Sequence, residues 1–348
     1  MERRPFIAAY LYGRTPVTPE DAKILDRINW AFGLCVDGKC SGAHWTGIEQ
    51  LATLKKENPH LKTILSVGGW GAGGFSDAYV THAGREKFAQ SAVELMLEHD
   101  FDGIDMDWEF PCLDDAGIDA RPEDKFNFTK VMWLMRTKLD AVGYVNKRYY
   151  HLSMACGCGS PKYAYNQELA ELGTFLDEVN LMTYDWRQGT SKKTGHHTNL
   201  FNNKEDKSIA SAKFAIDMYV EHGVPIEKLV IGGAFYGRGW TGVEAGPNGT
   251  GINAAASGIA YNAGGGYKKL VDPAFLTENN FTRHWDDDAK APYLYNGDVW
   301  ISYDDADSVA HKMKYVMERG MKGFMYWEYS GDDTGVLLKS LDGARNGK

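Results

Sequence analysis

Eight short runs of apolar, β-branched and aromatic residues recur along this 348-residue chain, at 6–10, 28–32, 63–67, 103–108, 151–155, 179–184, 229–232 and 323–327. Segments with helical spacing separate them. Phe88, Ala92, Leu95 and His99 mark one apolar face between 85 and 99. A second segment, 123–139, lies behind Pro122, a residue suited to a first helical turn. A third, 209–219, ends ahead of Gly223 and Pro225. Strands that alternate with helices pair in parallel, because each helix carries the chain back to the start of the next strand. Eight such units predict an α/β fold closed as a (β/α)8 TIM barrel. An open doubly wound sheet would carry a phosphate-cradling glycine fingerprint after its first strand. Gly232-Gly233 and Gly264-Gly265-Gly266 have neither its spacing nor its context.

One interval breaks the rhythm. About ninety residues separate the seventh run from the eighth, far more than one crossover needs. Its part from 241 to 303 is rich in Gly, Ala, Asn and aromatics, with strand-like stretches at 293–295 and 299–303. The expected organisation is a barrel formed by 1–240 and 304–348, interrupted by a small α+β subdomain at 241–303. Linkers, repeats and low-complexity tails are absent from the sequence.

Composition narrows the partners. A formal net charge of −9 offers no electropositive footprint for phosphates, so a nucleic-acid partner is not expected. Nor does any stretch approach the ~20 apolar residues of a membrane span. The opening Met1-Glu2-Arg3-Arg4-Pro5 leads into a short strand-like run and carries no signal peptide, which leaves the compartment open. Aromatic residues make up 13% of the chain, which suits either a sugar-binding cleft or a large core.

Five cysteines are too few, and odd in number, for a disulfide scaffold. Cys35 and Cys40 could close a small loop or stay reduced. Cys156 and Cys158 have no further ligands nearby and read as strand-end residues. His196 and His197 lack a carboxylate at ligand spacing and read as loop residues, so no metal is expected. The sequons at Asn127, Asn248 and Asn280 matter only in a glycosylating secretory pathway.

The strongest chemical signal is Phe101-Asp102-Gly103-Ile104-Asp105-Met106-Asp107-Trp108-Glu109-Phe110-Pro111. Side chains alternate along a strand, so Asp105, Asp107 and Glu109 share one face while Ile104, Met106 and Trp108 share the other. Asp102 has the opposite parity and precedes the strand, which gives it a structural role. Three acids on one face of a barrel strand would be costly in a plain core. They cannot all ionise at such close range, so at least one pKa must rise. The result is a carboxylic acid still protonated near neutral pH, which a general acid requires. Glu109 stands at the carboxyl end of its strand, where barrel active sites lie.

Asp102, Asp105, Asp107 and Glu109 fit the pattern D-x-x-D-x-D-x-E, and on it the chain resembles the glycoside hydrolase family 18 chitinases. Leu65-Ser66-Val67-Gly68-Gly69-Trp70 is similar to the family's S-x-G-G segment on the third strand. Leu181-Met182-Thr183-Tyr184-Asp185-Trp186 resembles its sixth-strand motif, Phe235-Tyr236-Gly237-Arg238 the segment after the seventh, and Phe324-Met325-Tyr326-Trp327 the eighth. The interrupted interval lies where the family carries its chitinase insertion domain.

This resemblance implies hydrolysis of β-1,4 N-acetylglucosamine linkages in chitin or chitooligosaccharides, with retention of configuration. The substrate's own acetamido group acts as nucleophile, so no cofactor is implied. Glu109 would be the general acid and base. Asp107 would brace the acetamido N–H, Asp105 would share its proton, and Ser66 would hydrogen-bond that inner pair. Tyr184 would hold the acetyl carbonyl. Asp185, Arg238 and Met182 would line the scission site, and Trp327 would floor it. Tyr10 and Tyr236 are further pocket candidates, and Trp70 a stacking platform for a distal sugar. A monomer is expected, and the substrate favours an extracellular setting. The residue after the acid is often Tyr in such chitinases, and Phe110 here leaves subsite preference open. Two rivals remain: an endo-β-N-acetylglucosaminidase, which typically lacks the insertion, and a chitin-binding lectin, which has lost the acid.

Overall fold

The computed structural model describes residues 4–206, 208–246, 248–260 and 265–347. Met1, Glu2, Arg3 and Gly264, named above, lie outside the described residues. Each of the eight apolar runs forms a strand: β1 Phe6–Tyr12, β2 Arg27–Val36, β3 Lys62–Gly68, β4 Gly103–Asp107, β5 His151–Gly157, β6 Glu178–Met182, β7 Leu229–Ala234 and β8 Gly323–Trp327. They pair in parallel in that order, and β8 closes on β1.

Closure explains why the runs are so apolar, since both strand faces are covered. The outward face packs under the helices, where Ile104, Met106 and Trp108 are buried in the main core. Inside the barrel, Ala8, Tyr10, Ala31, Val230 and Met325 form a second cluster, with Phe32, Met182, Tyr184 and Trp327 packed against it.

Several of the helices start where a side chain can accept their free N–H groups. The segment expected at 85–99 begins at His82, because Thr81 accepts from Gly84. The one expected from 209 begins at Ala212, capped by Ser211. The one behind Pro122 spans Asp124–Asn146 and ends where Lys147 turns left-handed at φ 53°. Helix Ala306–Arg319 has a full capping box between Asp305 and Ser308. It also carries Lys312, whose ammonium reaches Asp304 at 2.6 Å and Thr198 at 2.7 Å with both charges fully buried. Removing one partner of such a pair typically costs about 3–5 kcal/mol, so it pins this helix to the chain leading into it.

Between β7 and β8 the chain builds a second, antiparallel sheet of five strands. Its order is Gly258–Ile259, Arg238–Thr241, Trp300–Ser302, Ala291–Tyr295 and Thr282–Asp286. The sheet takes its first strand from Arg238 onward, three residues ahead of the expected boundary at 241. Trp240, Tyr293, Tyr295 and Trp300 form its own small core. The segment before helix Ala212–Glu221 laces this sheet to the barrel: Thr194 donates to the Gly251 carbonyl at 2.5 Å, and His196 Nε2 lies 3.0 Å from Asp286.

β2 runs past the barrel rim into a hairpin with Lys39–Ser41, turning at Asp37 and Gly38 with φ of 49° and 69°. Two positive φ values suit the short hairpin turn that Asp-Gly favours. Cys35 and Cys40 face each other across this hairpin as free thiols. The Asn127 sequon is buried, its side chain accepting from Arg85 at 3.1 Å, whereas Asn248 and Asn280 are exposed.

Candidate active site

Strand β4 presents Asp105 and Asp107 to the barrel interior, and Glu109 follows two residues beyond its end. Asp105 is fully buried and accepts four hydrogen bonds from four different strands. Tyr10 of β1 and Ser66 of β3 donate to Oδ2 at 2.8 and 2.9 Å, and Ser153 of β5 and Asn180 of β6 donate to Oδ1 at 2.6 and 2.9 Å. These donors occupy the acceptor capacity of a carboxylate.

Asp107, one step higher, is buried with an Oδ1 that has no hydrogen-bond partner among the described residues. No hydrogen bond joins it to Asp105 there. Burial, then the neighbouring charges of Glu109 and Asp105, push the Asp107 carboxyl well above its usual range. Glu109 is pushed up to about 8, by burial first and by the Asp185 charge second.

Gly68 and Gly69 explain the S-x-G-G spacing. A side chain on Gly68, at φ 126°, would sit 2.0 Å from the Asp107 carbonyl, and one on Gly69 would strike the Phe32 ring at 2.6 Å. Only glycine lets β3 pass so close to β4 while Ser66 reaches Asp105.

Asp185 follows β6 in a left-handed conformation, φ 59°, which Asp tolerates better than most residues. Arg238 grips it with two hydrogen bonds of 2.8 Å, Nε to Oδ1 and Nη2 to Oδ2. Burial pushes the Asp185 carboxyl up, but the adjoining His197 imidazole and Arg238 guanidinium outweigh it and hold the group far below its ordinary range. Asp185 is therefore a fixed negative charge facing Glu109, and both its oxygens are occupied.

A cleft of about 720 Å³ opens over these groups at the carboxyl ends of the strands. Asp107, Glu109, Tyr10, Trp70, Met182, Tyr184, Asp185, Tyr236, Arg238 and Trp327 all line it. Of the expected site residues, Asp105 and Ser66 do not; they lie beneath it. Trp327 stacks on Phe32, with ring centroids 5.4 Å apart at 14°, and presents a flat apolar surface. Trp70, 63% exposed, stands on the rim. Burial pushes the Tyr184 hydroxyl well above its usual pKa, so it remains a donor, and among the described residues its hydrogen-bond partner is the Met325 sulfur at 4.0 Å. Phe110 is buried against Tyr163, rings 4.5 Å apart, and both line the cleft.

Several lining groups carry no sequence signal of their own. Gln188 lies two residues past the sixth-strand motif, Lys268 on the short helix Tyr267–Leu270, and Glu328 and Ser330 just after β8. His197 lies in an irregular segment, as read from sequence, and is fully buried against Asp185, its Nδ1 3.4 Å from Oδ1.

Comparison with known proteins bears on this arrangement. The family described as Glycosyl hydrolases family 18 matches residues 7–332. Chitinase A1 of Niallia circulans is 40% identical over 309 residues, covering 84% of this chain and 44% of that protein. The chain spans 44%, 66% and 61% of the length of three such curated relatives. A solved structure of a glycoside hydrolase family 18 N-acetylglucosaminidase from Paenibacillus barengoltzii is 41% identical, with a TM-score of 0.91 over 98% of this chain and 99% of that one. A class V chitinase from Nicotiana tobaccum in complex with NAG4 superposes with a TM-score of 0.85 at 26% identity, over 98% of this chain and 99% of that one.

Proposed function

The chain belongs to glycosyl hydrolase family 18, and from that premise we propose that it hydrolyses β-1,4 linkages between N-acetylglucosamine units of chitin or chitooligosaccharides, retaining the β configuration. The observation that carries this reading is the pairing of Glu109, holding a proton up to about pH 8, with the unpartnered buried oxygen of Asp107 in the same cleft.

Glu109 gives its proton to the glycosidic oxygen as the C1–O bond breaks. The acetamido carbonyl of the −1 sugar attacks C1 and forms a cyclic oxazolinium ion. Asp107 Oδ1 accepts the acetamido N–H, and its carboxyl supports the developing positive charge. Asp107 must shed its own proton to do so. Asp105 lies on the same face two residues down the strand, and taking that proton requires it to release one of its four hydrogen bonds. Tyr184 directs the carbonyl, and Trp327 floors the sugar's C–H face. Glu109, now a carboxylate, draws a proton from water as the water opens the ion from the side the leaving group vacated. Asp185 is a poor rival nucleophile, because Arg238 holds both its oxygens.

If the nucleophile belongs to the substrate, fully deacetylated chitosan is not cleaved, and a thiazoline mimic of the oxazolinium ion inhibits competitively. Turnover of deacetylated chitosan at a rate comparable to chitooligosaccharide would defeat this reading. The likeness to an N-acetylglucosaminidase over nearly the full length of both chains favours a second reading of the cleavage pattern, in which single sugars are released from chain ends. The product profile from a defined hexasaccharide separates the two: monomer from the outset for end-release, and dimers with longer products for internal cleavage.

A further inference from the structure

His197 takes no part in the steps above, yet its surroundings are those of a working group. Its side chain is fully buried, and its Nδ1 lies 3.4 Å from Asp185 Oδ1. Neither ring nitrogen makes a regular hydrogen bond with any described residue, an unusual state for a buried imidazole. The ring cannot drift. Its backbone N–H donates to Ser302 Oγ at 3.0 Å, its carbonyl accepts from Trp186 N–H at 3.3 Å, and its face lies 5.3 Å from the Tyr236 ring.

We propose that His197 is a positioning residue for the general acid: its neutral imidazole, with the proton on Nδ1, holds the Asp185 carboxylate in the orientation that faces Glu109. This rests on the reading of Glu109 as the acid. Arg238 supplies the stronger grip, but it belongs to the second sheet, whereas Asp185 follows barrel strand β6 in a left-handed conformation. His197 braces Asp185 from a segment pinned to both bodies. Burial pushes its imidazole pKa down, more than Asp185 raises it, so the ring is neutral and has one N–H to give. Directed at Asp185, that N–H must be on Nδ1, and Nε2 is left as a bare acceptor.

The charges around these groups fix the sign of the effect. His197 faces Asp185, Arg238 and Asp304. Glu109 faces Asp185, Asp107 and the hydroxyls of Tyr163, Tyr184 and Tyr236. If Asp185 turns away or gains a proton, Glu109 loses the Asp185 charge that raises it and releases its proton at lower pH. The basic limb of the rate profile then moves toward acid.

Asparagine carries its amide NH2 where Nδ1 stands, and glutamine carries it where Nε2 stands, which allows a test with nearly constant volume. In the full chain, H197Q and H197F are expected to move the basic limb of kcat/KM down by about half a pH unit or more, with a raised KM. H197N is expected to keep the limb of the parent. Where H197F fails to fold, the Asn and Gln pair decides. A basic limb unmoved in H197Q, or moved equally in H197N and H197Q, overturns the proposal, even with both variants less stable. Loss of activity in E109Q with an unmoved limb in H197Q removes only the role of His197; an active E109Q removes the reading beneath it.

Discussion

Glu109→Gln is expected to lower kcat on chitooligosaccharides by about 10²–10⁴-fold or more, the range that proton transfer by a positioned side chain supplies. Gln fills the same space and keeps a polar head, so folding and sugar affinity should change little. A matched binding measurement on the inactive variant separates lost chemistry from lost structure. Retention of more than about a tenth of parental activity would contradict the assignment. The same group sets the pH dependence. In the proposed mechanism Glu109 acts first as an acid and must hold its proton in the free enzyme. With its carboxyl pushed up to about 8, kcat/KM should fall as pH rises through that value. Below it the proton is retained, and the acid limb must come from another group.

The second large effect is expected at Asp107. Asn in its place can still accept the acetamido N–H through its carbonyl oxygen, so ground-state binding survives. It cannot become an anion, and the positive charge of the oxazolinium ion develops only along the reaction. Asp107→Asn should therefore lower kcat by about 10²–10³-fold with little change in KM, the size found when one preorganised electrostatic partner is removed. Asp107→Ala loses the acceptor as well and should raise KM further. An Asn variant within tenfold of the parent would mean that Asp107 carries no charge in the transition state, leaving the acetamido group without its brace.

Much of this architecture was legible from residue order, for physical reasons. Parallel barrel strands are buried on both faces, so 6–10 and 323–327 read as continuous apolar runs long before their pairing is known. Asp105, Asp107 and Glu109 stood out because alternation along β4 puts three acids where a core tolerates none. The hairpin after β2 went unread, since Leu34 to Ser41 lacks the alternation that marks a half-buried strand. The second sheet was expected from 241, but Arg238 and Trp240 already belong to it. No local pattern distinguishes an arginine that ends a barrel loop from one that opens a new strand.

The site shows the same division. Residues in strand-end motifs were found because their spacing is local. Lys268 lines the cleft only because the fold brings the short helix Tyr267–Leu270 to it, and Glu328, though next to Trp327, belongs to no spaced motif. His197 was missed for a related reason. The sequence places this histidine in a loop, as the fold does, but only the packing of that segment between barrel and second sheet buries it. Phe110, where the sequence left subsite preference open, does line the cleft, seated on Tyr163, whose own hydroxyl reaches Asp115 at 3.2 Å.

The claim on which the rest depends is that the substrate's acetamido group, rather than a carboxylate or an activated water, attacks the anomeric carbon. The first-formed anomer reports on this directly. Time-resolved proton NMR of chitooligosaccharide hydrolysis, read before mutarotation, should give the β-anomer as the initial product, with no covalent adduct on any carboxylate of the intact enzyme. An initial α-anomer would mean inversion by an activated water, and a trapped glycosyl ester on Asp107 or Asp185 would make that residue the nucleophile.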